Sequence, residues 1–382
     1  MNIPEKFDEI RPFEPEELQA VYDRLLSDEM FKKVIQYVMP GVPFEKLAAA
    51  MHACDTNLKF QKTFCYVFLE NLLAKASTGI DFDTDNVDTS RRYTFISNHR
   101  DIVLDSAFLS KLLIDAGFPT TCEIAIGDNL LSLPWVRDLV RVNKSFIVQR
   151  ALQPRQMLMS SIRLSEYMHF AIAEKQENLW IAQREGRAKN SDDRTQTALL
   201  KMLSMGGEGS VVERLQQLHI VPLSISYEYD PCDFLKAAEM QLKRDNPGFK
   251  KSAHDDVVSM QTGIMGYKGR IHYHCGECVD EFLGSLDSSM GKTEVYEKLA
   301  GHMDRSIHAN YMIFAGNYVA LDLYRGTEEH ADKYTAEEKA RFEKYLAGQL
   351  QKIDIPGKDE EFLRARILEM YANPAINYLS AK

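Results

Sequence analysis

The chain has 382 residues, 45% of them hydrophobic and 27% charged, with a formal net charge of -10. That is the balance of a folded globular protein of one to three structural units, and its acidity argues against a nucleic-acid partner, whose affinity comes from phosphate neutralisation. No apolar run reaches the roughly 18 to 20 residues of a spanning helix, and Met1-Asn2-Ile3-Pro4-Glu5-Lys6 lacks a signal-peptide core; the expected location is cytoplasmic, with peripheral contact at the inner membrane face left open.

Apolar residues at helical spacing predict helices over Glu16 to Met39 and Phe44 to Lys75. The polar run Asp81 to Arg92 then sets a boundary, giving a helical N-terminal unit over residues 1-85. From Tyr93 onward short apolar strands alternate with helices. Strands are predicted at Tyr93 to Ile96, Cys122 to Ile126, Ser145 to Val148, Leu179 to Ala182, Ile220 to Tyr227 and Arg270 to Cys275. Helices are predicted between them at Val103 to Ala116, Pro134 to Val140, Pro154 to Lys175, Thr197 to Ser204 and Val211 to Leu218. This alternation predicts an α/β class, a central mixed, largely parallel sheet flanked by helices, over residues 86-290. Helices at Glu294 to His308, Tyr311 to Tyr324, Ala336 to Lys352 and Glu360 to Tyr371 make a helical C-terminal section over 291-382. The six cysteines are scattered, as in a reducing compartment where thiols act as small hydrophobes.

Four segments carry candidate chemistry. Ser97-Asn98-His99-Arg100-Asp101 and Asp105 lie where the first strand of the α/β section runs into a helix, the edge of the sheet where ligand sites form. An imidazole there can take a proton from an alcohol, with Asp105 or Asp101 fixing its tautomer. The plainer alternative is that Asn98 caps the helix and the aspartates offset its dipole. Gln183-Arg184-Glu185-Gly186-Arg187-Ala188-Lys189 leaves the strand ending at Ala182 with a flexible glycine and three cations, a set suited to a phosphate monoester or simply to a solvated loop. Phe146-Ile147-Val148-Gln149-Arg150 delivers Arg150 at a strand end, and Ile220-Val221-Pro222 opens another strand.

Taken in order, these segments resemble the glycerolipid acyltransferase family, which includes glycerol-3-phosphate and lysophosphatidic acid acyltransferases. The resemblance rests on Asn98-His99…Asp105, Phe146-Ile147…Arg150, Glu185-Gly186-Arg187 and Ile220-Val221-Pro222, and covers roughly residues 90 to 230, with Gly269-Arg270-Ile271 to Glu277 as a continuation. The chain departs from the family pattern where five residues, not four, separate His99 from Asp105, where Arg187 replaces a frequent threonine, and where Asn143-Lys144 replaces a glycine-containing lead-in. The resemblance implies that His99 is the general base, with Asp105, or alternatively Asp101, as its orienting acid. It implies that Asn98, Arg150, Glu185, Gly186, Arg187 and Lys189 surround the acceptor. It implies a fatty acyl donor, acyl-CoA or acyl carrier protein, and a glycerolipid precursor, with no other cofactor and no metal. An amino-acid lipid acceptor would use the same base, and a non-catalytic lipid- or carrier-binding protein would keep the same fold.

One signal points elsewhere. His272-Tyr273-His274-Cys275-Gly276-Glu277-Cys278 has the ligand types of a zinc site and of a zinc-dependent hydrolase, but the sequence offers no second ligand pair. The aromatic spacing of Tyr311, Phe314, Tyr318, Leu321 and Tyr324 reads as core packing.

Overall fold

The computed structural model describes residues 3–150 and 152–382; Met1 and Asn2, part of the stretch read as lacking a signal peptide, lie outside them. Its centre is a seven-stranded sheet. The strands are β1 (Gly79–Asp83), β2 (Thr94–Ser97), β3 (Cys122–Gly127), β4 (Ser145–Val148), β5 (Asn178–Ala182), β6 (Ile220–Tyr227) and β7 (Arg270–Cys275). They lie side by side in the order β1-β7-β6-β2-β5-β3-β4. Strands β2 to β6 are mutually parallel, so their carboxyl ends share one edge, while β7 runs antiparallel to β6 and β1 follows β7. In β2 and β6 every residue is buried, as expected for central strands covered on both faces.

The period-2 alternation of the strands sorts two cores. Ile96, Leu179, Ile181 and Ile220 face one side, with Leu164, Tyr167 and Met168 of the helix Pro154–Ala173. Phe95, Trp180, Val221 and Leu223 face the other, with Phe108 and Leu112 of the helix Leu104–Asp115. Each such side chain contributes on the order of 1.5 to 3 kcal/mol by leaving water.

The structure corrects several boundaries. Asp28 accepts the N–H groups of Met30 and Phe31, and this cap splits the helix expected over Glu16 to Met39 into Leu18–Ser27 and Glu29–Val38. Thr56 caps a new start in the same way, so Phe44–His52 and Tyr66–Ala76 are separate. The strand β1 falls inside the stretch assigned to the N-terminal unit. It pairs only with β7, and as a half-exposed edge strand it lacks the apolar run by which central strands are found. The helices Asp233–Asp245 and Ala253–Met265 were not expected. The first of them gives Phe234 and Ala237 to the core of Ala315–Arg325, Ala336–Gln351 and Glu360–Ala381. The helix Lys292–Ala309 in turn puts Leu299 and Met303 into the core of the sheet, so the break expected at residue 291 cuts through two shared cores. The last helix continues through Pro374, beyond its expected end at Tyr371. Among the described residues no helix is long and apolar enough to cross a membrane.

Candidate active site

β2 ends at Ser97 and passes the chain to a short loop. Asn98 is fully buried and locks this loop to β6: its Nδ2 donates to the Ile225 carbonyl (2.9 Å) and its Oδ1 accepts the Ile225 N–H (2.8 Å). Both ends of the amide are thereby used, which removes Asn98 from the residues expected at the acceptor.

His99 follows, with Nδ1 2.8 Å from Oδ2 of Asp105; the imidazole is 13% exposed and the carboxylate 0%. The longer spacing fits because of Asp101. Its Oδ1 accepts the N–H groups of Val103 (2.9 Å) and Leu104 (2.8 Å), so the extra residue is taken up ahead of the helix, which begins at Leu104. Asp105, in the first helical turn, then reaches back over the loop, and its Oδ2 also accepts the N–H groups of Arg100 (2.7 Å) and Asp101 (3.1 Å). Three donors fix this oxygen, and an imidazole giving Nδ1–H to it leaves Nε2 as the basic nitrogen. Asp105 Oδ1 is buried without a partner among the described residues. The carboxylate in contact with His99 is therefore Asp105, while Asp101 caps the helix; burial, then the charge of Asp105, raises the Asp101 carboxyl above its usual range.

The imidazole meets the Trp180 indole edge-on, at 5.8 Å between centroids and 66° between planes, and the indole N–H donates to Ser97 Oγ at 3.1 Å. Tyr273 on β7 donates its hydroxyl to the Asp105 carbonyl at 3.0 Å. His99 and Asp105 are thus braced from β5 and β7.

Cations collect at the same edge. Arg100 is buried, with Nη2 2.8 Å from Asp193 Oδ2 and its guanidinium over the Tyr311 ring. Arg187 lies within electrostatic range of Asp230 and Asp101, and among the described residues its Nη1 is buried without a partner, as is Nε of Arg184. Arg150, at the end of β4, stands 3.6 Å from Glu185 in a half-exposed pair that water screens strongly. Its guanidinium lies over Gly127, where an added Cβ would come 2.8 Å from Arg150 Nε. Gly186 turns the loop with φ +68, a conformation open to glycine at little cost. Lys189, expected at the acceptor, is instead paired with Glu239 of the helix Asp233–Asp245.

The residues His272 to Cys278 do not converge. His274 pairs with Asp83 (3.0 Å), Cys275 is buried on the other face of β7, and Cys278 lies near His219 and Asp280.

Residues 80–226 match the family model described as Acyltransferase. That match takes in the sheet from β1 to β6. None of the curated proteins matches it. Among solved structures, the 1-acyl-sn-glycerophosphate (LPA) acyltransferase of Thermotoga maritima is similar at 13% identity over 78% of this chain and 98% of that chain, with a TM-score of 0.36. The matched segment contains His99, Asp105, Arg150, Glu185, Gly186 and Arg187. Sequence reasoning passed over Arg100, Arg184, Trp180 and Tyr273 as site residues. The two arginines lie inside the quoted motifs, whereas the two aromatic residues reach the site only through strand pairing.

Proposed function

We propose that this acyltransferase moves a fatty acyl group from acyl-CoA or acyl carrier protein to a glycerol-3-phosphate or lysophosphatidic acid type acceptor in phospholipid biosynthesis. The contact of His99 Nδ1 with Asp105 Oδ2 at the carboxyl end of the sheet carries this reading. His99 Nε2 takes the proton of the acceptor hydroxyl as its oxygen attacks the thioester carbonyl. The tetrahedral intermediate expels the thiolate, which receives that proton from the imidazolium, and no acyl-enzyme is needed. Asp105 stabilises the imidazolium between these steps.

Arg187 and Arg150 hold the acceptor phosphate, and the unpartnered N–H groups of Arg187 and Arg184 support an anionic ligand. Glu185 positions Arg150, and Gly186 lets the backbone come close. Lys189 has no part in this scheme, since Glu239 takes its charge. Exposed Leu133, Leu158 and Met159, in the segments after β3 and β4, support peripheral membrane contact for the acceptor's apolar tail. The wider spacing that favoured a non-catalytic binder is absorbed by the loop, so the reading as an enzyme is preferred.

The test is a screen by mass spectrometry. Acyl-CoA and acyl carrier protein are each offered with glycerol 3-phosphate, lysophosphatidic acid and amino-acid lipid acceptors. Acylation of a phosphate-bearing acceptor with thiol release, lost in His99→Ala, is expected. Acylation of the amino-acid acceptors alone would overturn the phosphate assignment, and ligand binding without turnover would restore the binder.

A further inference from the structure

The opposite end of the sheet carries a second polar cluster that acyl transfer does not use. We propose that His219, Cys278 and Asp280 form a binding site for a divalent cation of the zinc class, open to a cleft at the amino ends of β2, β5 and β6. The ligand atoms of these three side chains lie within 4.8 Å of one another. They come from two segments that the sheet holds together. His219 sits in the turn immediately before β6, and Cys278 and Asp280 follow β7. The Val279 N–H, between the latter two, donates to the Ile220 carbonyl at 2.9 Å, and the Gly276 N–H to the Pro222 carbonyl at 2.8 Å, so the turn after β7 is fastened to β6 beside His219.

The donor set selects the ion. A thiolate, an imidazole and a carboxylate are the ligands zinc takes, whereas magnesium and calcium take oxygen ligands. A thiolate and a carboxylate together cancel the charge of a dication, so Arg91, with Nη2 3.9 Å from Asp280 Oδ2, faces a neutral centre. Among the described residues Asp280 Oδ1 is buried without a partner, while His219 Nδ1 lies 2.6 Å from Asp280 Oδ2 and 3.4 Å from Arg91 Nη2. That hydrogen bond gives way when the cation enters: Cys278 releases its thiol proton, the imidazole moves its proton to Nε2, and the Nδ1–Oδ2 pair opens to roughly 3.3 Å around an ion about 2.1 Å from each.

Three protein ligands leave a fourth position free. His219 and Asp280 line a cleft of about 830 Å³ together with Arg91, Arg92 and Gln176, so the free position faces a space large enough for a small molecule. No metal was expected from the sequence, because Cys278 was read with His272 and His274. Its partners are reached across the β6–β7 pairing, which residue spacing does not reveal.

Cobalt is the probe, because cobalt bound to a thiolate absorbs in the near ultraviolet. The full chain is stripped with a chelator and titrated with Co²⁺, then with Zn²⁺. One equivalent of cobalt, a thiolate charge-transfer band and its displacement by one equivalent of zinc are expected. Cys278→Ser abolishes the band, and His219→Gln and Asp280→Asn each weaken zinc binding by at least about tenfold. Far-ultraviolet circular dichroism and thermal melts of the stripped variants check that each is folded. If Cys278→Ser does not fold, the other two variants decide the matter on zinc affinity. Absence of stoichiometric uptake, cobalt bound without the thiolate band, or unchanged zinc affinity in His219→Gln and Asp280→Asn would overturn the site.

Discussion

His99–Asp105 and His330–Asp322 are nearly the same contact in two settings. The first pair is 2.8 Å apart with 13% and 0% exposure, and the second is 3.0 Å apart with 16% and 3%. Distance and burial therefore do not tell them apart. Asp322 also accepts from the Tyr334 hydroxyl (2.9 Å), the Thr327 hydroxyl (3.2 Å) and the His330 N–H (3.1 Å), and the His330 ring stacks on Tyr318. Those donors tie down the turn after the helix Ala315–Arg325. Among the described residues the Asp105 carboxylate receives only His99 and two backbone N–H groups, and its Oδ1 has no partner. A histidine beside an aspartate is a clamp or a base according to what else has been satisfied around it.

The largest effect separates the candidate orienters. In Asp105→Asn the amide oxygen keeps the place of Oδ2, with the N–H groups of Arg100 and Asp101 and with His99 Nδ1. The negative charge that stabilises the imidazolium is lost, and turnover falls by at least about 100-fold. Asp101→Asn keeps a capping oxygen and reduces turnover far less. Equal losses in the two would return the orienter to question.

Next in size is the acceptor's anchor. Arg187→Ala raises the acceptor KM about tenfold, the loss expected for a charge-assisted hydrogen bond, and leaves the donor KM nearly unchanged. Equal rises in both would contradict a phosphate role.

His330→Ala tests the clamp. Its denaturation midpoint falls, corresponding to about 1 kcal/mol for the lost hydrogen bond, with an unchanged denaturant slope.

A further effect is a slope with pH, at a carboxylate that has no histidine. Burial, then the charge of Asp230, pushes Asp233 up to about 7 against hydrogen bonds from Tyr345, Tyr371 and Gln349. The folded chain keeps a proton that the unfolded chain releases near its ordinary value of about 3.9. This contribution to stability is complete below that value and declines as pH rises towards 7. Denaturant midpoints of Asp233→Asn measured between these limits should lack that decline.

The sequence was most readable where burial left a plain pattern. Ser145–Val148, Ile220–Tyr227 and Arg270–Cys275 stand at their expected limits, because continuous apolar runs and strict alternation mark buried strands. β1 escaped because it is a short edge strand whose two apolar residues, Ile80 and Phe82, are separated and followed by aspartates, so the stretch reads as polar. Within the candidate site, the order of motifs singled out His99, Arg150 and the Glu185-Gly186-Arg187 loop, which the fold brings to the carboxyl ends of parallel strands. It left the choice between Asp101 and Asp105 open, because the number of loop residues between a strand and a helix is set by capping geometry. Asn98 and Lys189 were misplaced for a related reason: their partners, Ile225 and Glu239, are distant in the chain.

The central claim is that His99 is the base of this acyltransferase. The most direct measurement is the rate of thiol release from an acyl thioester in the presence of a phosphate-bearing acceptor, compared between His99→Ala and His330→Ala. We predict a fall of at least about 100-fold for the first and a rate within about twofold of the parent for the second. A His99→Ala protein that still turns over near the parent rate, folded and with the same acceptor KM, would contradict the account.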